Sequence, residues 1–281
     1  MTRRSTDLVS PAVDALRIID DWGARTATAG VTRADKEIGV HGPRDVDLRW
    51  ASVTKLLTGV ALLVALEEGT VELDEPAGPP GSTLRHLLAH ASGLPPDEGP
   101  PLLPPARRRI YSNYGIELAA ALVAERSGMP FADYFRASVV EPLSLAGALH
   151  GSAAWGYRGP LDDLLKLGRE LIEPRLVARE TLDEAVSVQF PGLAGVLPGW
   201  GRMDPNDWGL TFELRDDKAP HWTSSQNSPR TFGHFGAAGT FLWVDPELGV
   251  ACAVLTDREF GEWAIDAWPR FNDSVIREQR A

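Results

Sequence analysis

The chain has 281 residues, 43% of them hydrophobic, which is enough for one large or two modest globular domains. Charged residues make up 24%, as in ordinary folded proteins, so the composition does not indicate disorder. The formal net charge of -11 argues against sequence-independent nucleic-acid binding and against an anionic membrane as a partner.

Cys252 is the only cysteine, so the sequence allows neither an intrachain disulfide nor a thiolate metal cluster. Arg3 and Arg4 are not followed by an apolar stretch, and we therefore expect no signal peptide. The longest apolar run, residues 56–66, is interrupted by Thr58 and is too short to span a bilayer. These features predict a cytoplasmic protein without a transmembrane segment.

Hydrophobic periodicity and turn residues predict strands near both ends of the chain and helices between them. In chain order we expect a helix over 11–22 with Ser10 as N-cap, two strands within 25–42, helices over 52–68 and 84–91, an extended proline-rich connection over 93–106, helices over 115–126, 131–143 and 160–172, a hairpin of 240–244 with 249–256, and a last helix over 264–279.

This order predicts an α+β fold, with one mixed, mainly antiparallel sheet assembled from the two termini and flanked by terminal helices. The middle of the chain is predominantly helical, as expected for an inserted all-helical domain. We place a discontinuous sheet domain at residues 1–68 plus 193–281 and the helical domain at 69–192, with an active site at their interface.

Ser52 and Lys55 lie three residues apart at the start of an apolar helix, so their side chains share a face. The helix dipole and burial both lower the pKa of a lysine there, and a neutral amine beside a hydroxyl is a base beside a nucleophile. The alternative is that Ser52 caps the helix and Lys55 extends to solvent.

Two later stretches contain further candidates. Tyr111 and Asn113 precede a helix and suit proton relay and substrate binding, unless Asn113 is the cap and Tyr111 packs in the core. His234 and Gly236 lie in a glycine-rich strand, where a glycine leaves room for a ligand. Alternatively, His234 is a core histidine bonded to a backbone carbonyl.

Three ordered motifs, S-x-x-K at 52–55, Y-x-N at 111–113 and H-x-G at 234–236, resemble the serine β-lactamase and penicillin-binding-protein family. The similarity is greatest to its class C, esterase and D-aminopeptidase branch, and it covers about residues 15–275. Further similar segments are "TLRHLLAHASGLP", "RRIYSNYGIELAAALVAERSG" and "GTFLWVDPELGVACAVLTD".

By this resemblance Ser52 is the nucleophile that forms an acyl-enzyme, and Lys55 and Tyr111 share the proton transfers. Asn113 orients Lys55 and the substrate, and the backbone N–H groups of Ser52 and Ala237 form the oxyanion hole. The resemblance implies a serine hydrolase for a small ester, amide or lactam, without a cofactor or metal.

His234 stands where lactamases of this branch have a lysine, and histidine is mostly neutral near pH 7. We therefore expect weak β-lactam turnover and a preference for substrates without a carboxylate. The alternatives are a non-catalytic or once-acylated penicillin-binding sensor and an acyltransferase on the same fold. The complete Ser-Lys-Tyr set favours an enzyme.

Other candidates are weaker. His86 and His90 have metal-ligand spacing on a helix, but no third ligand is identifiable and a metal site is not expected. Trp222 is a candidate for lining an acyl pocket, although tryptophans near strands are more often core residues. Residues 107–109, all arginine, are interpreted as a solvated loop rather than a nucleic-acid patch.

Overall fold

The computed structural model describes residues 13–281. Its strands are β1 (Ala27–Thr32), β2 (Glu37–His41), β3 (Leu48–Arg49), β4 (Ala148–Leu149), β5 (Tyr157–Gly159), β6 (Gly195–Leu197), β7 (Gly201–Met203), β8 (Glu213–Leu214), β9 (Phe232–Gly236), β10 (Thr240–Asp245) and β11 (Val250–Thr256). Its α-helices are α1 (Thr54–Glu67), α2 (Leu84–Leu88), α3 (Asn113–Ser127), α4 (Phe131–Phe135), α5 (Leu161–Ile172), α6 (Arg179–Ala185) and α7 (Glu262–Arg280).

Six strands form the central sheet, in the order β2-β1-β11-β10-β9-β8. Its pairings are antiparallel, and Ala27 of β1 lies opposite Thr256 of β11. The expected hairpin is β10–β11, in which Leu242 pairs with Ala253. The predicted α+β fold, with a mainly antiparallel sheet built from both ends of the chain, is confirmed.

Strands β9, β10 and β11 are buried at every residue, and since alternate side chains point to opposite sides, both faces of this part of the sheet are covered. On one face, Phe241 and Trp243 pack in a cluster with Trp268 and Phe271 of α7 and with an N-terminal 3-10 helix (Asp14–Trp22). On the other face, residues of β10 and β11 pack with α1 and α5. Ser52, the candidate nucleophile, lies just before α1 and therefore on this second face of the sheet.

Helix α5 approaches the sheet closely through glycines on both partners. A Cβ on Gly30 of β1 would lie 3.0 Å from the methyl groups of Leu165. A Cβ on Gly168 of α5 would lie 2.9 Å from Ala251 Cβ. This helix therefore packs on the sheet although it lies within residues 69–192, and the division into two domains stays a prediction.

The remaining predicted elements are found with altered ends. The N-terminal helix begins at Asp14, and the predicted cap Ser10 and Pro11 lie outside the described residues. Residues 93–106 form bends and irregular backbone without a regular helix, as their prolines predict, although the segment is not a simple extended connection. The structure adds α6 and two small sheets, β3-β5-β4 and β6-β7, to the predicted set.

Candidate active site

Ser52 lies in a strained turn just before α1. Ala51 has φ +47°, a left-handed conformation that costs a non-glycine residue energy. Trp50 holds the turn from both sides: its carbonyl accepts a hydrogen bond from Thr240 Oγ1 at 2.8 Å, and its indole donates to Gly159 O at 3.2 Å. Val53 is the N-cap of α1, so Ser52 is not the cap and its side chain is half-buried.

Lys55 is the second residue of α1 and is fully buried, so its side chain does not extend to solvent. Its Nζ lies 3.3 Å from Ser52 Oγ and donates hydrogen bonds to Asn113 Oδ1 at 2.7 Å and Ala154 O at 2.9 Å. Burial lowers the pKa of Lys55 to about 7, while the charge of Glu117 opposes that shift. The amine is therefore close to half neutral at neutral pH.

Tyr111 and Asn113 reach the site from the start of α3. Ser112, rather than Asn113, is the N-cap, and its Oγ accepts from Gly115 N at 2.9 Å. This leaves the Asn113 side chain free to face Lys55. Burial raises the pKa of the Tyr111 phenol, against a smaller opposite effect of its hydrogen bond with Ser52, so Tyr111 keeps its proton at neutral pH.

His234 closes the opposite side of the site from β9. Its Nδ1 lies 2.6 Å from Phe235 O and its Nε2 lies 3.4 Å from Tyr111 Oη. Burial, together with the charge of Lys55, lowers the pKa of His234 to about 3. The ring is therefore neutral at pH 7, with Nδ1–H donating to the carbonyl and Nε2 accepting from the phenol. His234 therefore makes the backbone-carbonyl hydrogen bond expected of a core histidine, and it also lies beside Tyr111.

Strand β9 ends at Gly236 next to the Ser52 turn, and Ala237 follows it. A Cβ on Gly236 would lie 2.5 Å from Trp50 O and 3.1 Å from Ala51 Cβ. The absence of a side chain at Gly236 thus allows β9 to pack closely on the turn at Trp50 and Ala51. This reason for the glycine differs from the one predicted from the sequence, namely space for a ligand. Ala237 is exposed, and its carbonyl accepts from Phe260 N at 2.8 Å. Its role in an oxyanion hole stays a prediction.

Glu117 is a site residue that the sequence interpretation missed. Its carboxylate accepts hydrogen bonds from Ala153 N at 3.3 Å and Ala154 N at 3.2 Å, and also from the Ser152 hydroxyl. It therefore holds the segment whose carbonyl binds Lys55. The spacing in the sequence could have indicated this residue, because Glu117 lies four residues after Asn113 and therefore on the same face of α3.

Two other expectations need correction. Arg107 and Arg108 are exposed, but Arg109 is buried and is not part of a solvated loop. Its guanidinium donates to four backbone carbonyl oxygens, those of Ala89, Gln189, Phe190 and Asn206. Trp222 is fully buried in the aromatic core and lines no acyl pocket.

Within residues 13–281, no cluster of three or more His, Cys, Asp or Glu side chains is arranged to hold a metal ion. His86 and His90 have separate partners: the Nδ1 of His86 accepts from Thr83 N, and that of His90 accepts from Ser112 N, each at 3.2 Å. Over the same described range, every helix is too short or too polar to cross a membrane.

A profile of the Beta-lactamase family matches residues 14–273. A crystal structure of a beta-lactamase from Mycobacterium bovis is similar along nearly the whole chain: 46% identity, 95% of this chain and 100% of that chain covered, and a TM-score of 0.93. A crystal structure of a putative beta-lactamase from Bacteroides dorei shares the fold, with a TM-score of 0.79 and 16% identity over 96% of this chain and 98% of that one.

Curated relatives match over shorter stretches. The D-alanyl-D-alanine-carboxypeptidase/endopeptidase AmpH of Escherichia coli (strain K12) is 29% identical over 168 residues, which are 47% of this chain and 43% of the relative. A beta-lactamase of Yersinia enterocolitica is 30% identical over 38% of this chain and 36% of its own length. The match thus spans less than half of these relatives.

Proposed function

Because this chain belongs to the Beta-lactamase family, we propose that it is a serine hydrolase that forms an acyl-enzyme on Ser52 with a small ester, amide or lactam. The proposal depends above all on the 3.3 Å approach of the buried Lys55 amine to Ser52 Oγ. A hydroxyl is a weak nucleophile until a nearby base takes its proton, and Lys55 is the proposed base.

The hydrogen bonds of Lys55 support this role. A neutral amine has two N–H groups and one lone pair, and Asn113 Oδ1 and Ala154 O accept the two protons. The lone pair is then directed at Ser52. Proton transfer from Oγ to Nζ leaves an alkoxide that attacks the substrate carbonyl and a lysine ammonium that holds the proton for the leaving group.

Tyr111 is proposed to act as a neutral phenol. Its raised pKa disfavours a phenolate, so Lys55 is the better first base. Tyr111 lies next to Ser52, and its hydroxyl is 3.4 Å from His234 Nε2. From this position it can help pass the proton to the leaving group and, in the second half of the reaction, from the attacking water.

The surroundings favour an uncharged substrate with an apolar acyl group. A carboxylate substrate gains most from a permanent cation, and His234 is neutral at pH 7. The rings of Tyr111 and Trp208 flank His234, with centroids 5.7 and 5.5 Å from it. Trp155, which follows Ala154 in the chain, is a large apolar side chain that is 53% exposed.

β-Lactam hydrolysis is the second candidate, and it is supported by the 46% identity to the Mycobacterium bovis beta-lactamase. An acyltransferase and a once-acylated sensor would use the same residues. These three outcomes differ in what removes the acyl group: water, another acceptor, or nothing.

The test compares wild type, Ser52→Ala and the exposed-site control Ser225→Ala. Wild type and Ser225→Ala should hydrolyse p-nitrophenyl esters readily and a chromogenic cephalosporin more slowly. Ser52→Ala should lose roughly a thousandfold or more in ester turnover, because no nucleophile remains. Equal turnover by wild type and Ser52→Ala would refute the mechanism.

Intact-mass measurement separates the alternatives. A fluorophosphonate adduct on wild type but not on Ser52→Ala supports an activated serine. A penicillin adduct that persists for hours supports the sensor. An ester product formed with an added alcohol supports acyl transfer.

A further inference from the structure

His90 is a fully buried residue just after α2, and none of the proposed chemical steps uses it. Its φ is +54°, a conformation that costs a non-glycine residue on the order of 1 kcal/mol or more. Its ring lies 4.7 Å from the ring of Tyr111 and 4.7 Å from that of Trp208, centroid to centroid. The surrounding contacts therefore hold an unfavourable backbone against the tyrosine.

His90 accepts two hydrogen bonds, one from each of the residues on either side of Tyr111 in the sequence. Ile110 N donates to the backbone oxygen of His90 at 2.9 Å, and Ser112 N donates to its Nδ1 at 3.2 Å. The residues before and after Tyr111 are thus both bonded to His90, and the tyrosine ring packs on the imidazole. One residue fixes both the backbone and the ring plane of Tyr111.

The protonation state of His90 supports this arrangement. Because Nδ1 accepts a hydrogen bond, the ring proton is on Nε2, and in the described part of the chain that buried atom has no hydrogen-bond partner. Burial, with a smaller contribution from the charges of Lys55 and Arg109, holds the pKa of His90 well below its usual range. Nδ1 therefore remains an acceptor throughout the neutral range.

Packing alone does not explain a histidine here. A buried unpaired N–H costs about 1–3 kcal/mol, and an apolar side chain of similar size would avoid that cost. What an apolar side chain lacks is the acceptor for Ser112 N.

We propose that His90 is a positioning residue, which uses its Nδ1, its backbone oxygen and its ring to hold the Tyr111 hydroxyl in place between Ser52 and His234. This inference rests on the proposed function. A displacement of about 1 Å at a reacting group can reduce a rate by about a hundredfold, so a clamp on Tyr111 has a direct kinetic effect.

The experiment measures kcat and KM for a p-nitrophenyl ester, and the rate constant of fluorophosphonate labelling, in His90→Ala and His90→Asn. His90→Ala should lower kcat and the labelling rate constant by roughly 10- to 100-fold with a much smaller change in KM. His90→Asn should recover a large part of the loss, because its Oδ1 can accept from Ser112 N and asparagine tolerates positive φ.

His86→Asn is the matched control. His86 also accepts a backbone N–H through Nδ1 and stacks on an aromatic ring, that of Phe190 at 4.2 Å, but it lies away from Tyr111. Its kinetics should stay within about twofold of wild type. Should His90→Ala fail to fold, His90→Gly takes its place, since glycine adopts positive φ freely.

A double-mutant cycle with Tyr111→Phe distinguishes positioning from general destabilisation. If His90 acts through the Tyr111 hydroxyl, His90→Ala should have little further effect on kcat once that hydroxyl is gone. Fully additive effects, a wild-type rate in His90→Ala, or no recovery in His90→Asn would each overturn the inference. A wild type without any Ser52-dependent reaction would instead refute the proposed function, and the inference would fall with it.

Discussion

The amine of Lys55 owes both its position and its pKa to residues on other elements. Asn113 and Ala154 accept its protons, and Glu117 holds Ala154 through a backbone N–H. Burial lowers the pKa of Lys55 toward neutrality, and the carboxylate of Glu117 limits the shift. A base poised near neutral pH is what general base catalysis requires.

The first prediction concerns pH. Activity should rise as pH increases through about 7, because only the deprotonated amine of Lys55 accepts the Ser52 proton. Glu117→Gln removes a negative charge that stabilises the ammonium, so the midpoint should move to lower pH. The rate constant of fluorophosphonate labelling between pH 5 and 9 measures this midpoint.

Glu125→Gln is the control for this profile, since Glu125 is exposed on the same helix. Its midpoint should match that of wild type. An unchanged or higher midpoint in Glu117→Gln would show that the carboxylate does not act on Lys55.

The second prediction concerns His234. His234→Lys introduces a cation where the native ring is neutral, so kcat/KM for a cephalosporin should increase, by about tenfold if one charge-assisted hydrogen bond to the carboxylate forms. His234→Gln, which stays neutral, should show no increase. Steady-state kinetics of the folded variants check this, and an unchanged lactam rate in His234→Lys would sink the idea.

At the scale of elements, the end of β9 and the entry to α1 fit together at Gly236. The third prediction is that Gly236→Ala lowers the free energy of unfolding by about 1–3 kcal/mol and slows labelling of Ser52, because the new Cβ would overlap Trp50 O. Gly261→Ala is the control, since its Cβ would lie 3.8 Å from its nearest neighbour. Urea unfolding with equal stability for the two variants would contradict this account.

The sequence predicted elements that are long and regular. The apolar run of α1, the capped helix α3 and the β10–β11 hairpin each carry a periodic pattern and a turn or cap signal. The strands of the two small sheets have two or three residues, which is too few for a pattern to repeat. The seven-residue α6 was missed because its length spans barely two turns.

The candidate site was predictable where a motif places neighbours on one face, as for Ser52 and Lys55. Contacts between distant segments were not predictable from one sequence. Examples are the link from Glu117 to Ala154, the burial of Arg109 against four carbonyls, and the clamp of His90 on Tyr111. Each depends on tertiary distances, and a charged side chain is exposed more often than buried.

For the molecule as a whole, a buried polar cluster fastens one edge of the sheet. Glu213 of β8 accepts from Lys218 Nζ, from His221 Nε2 at 2.9 Å and from Trp222 Nε1 at 2.9 Å. Burial alone would raise the pKa of Glu213, but His221 and Lys218 outweigh it and bring the pKa to about 2. The cluster ties the segment after β8 to the strand that lies beside β9.

The fourth prediction is that Glu213→Ala destabilises the fold by about 3–5 kcal/mol, because it leaves the buried Lys218 amine without its carboxylate. Glu259→Ala removes an ion pair with Arg49 whose side chains are more than half exposed, and it should cost less than about 1 kcal/mol. Chemical denaturation of both variants measures the difference. Equal losses would mean that the buried pair contributes no more than a surface pair.

The pairing of β1 with β11 has a consequence for how the protein is made. During translation, β1 leaves the ribosome long before its partner β11, since Ala27 pairs with Thr256. Sheets that depend on such distant pairings form slowly, and exposed apolar segments aggregate meanwhile. The two parts of the sheet, β2-β1 and β11-β10-β9-β8, therefore cannot join until nearly the whole chain has been made.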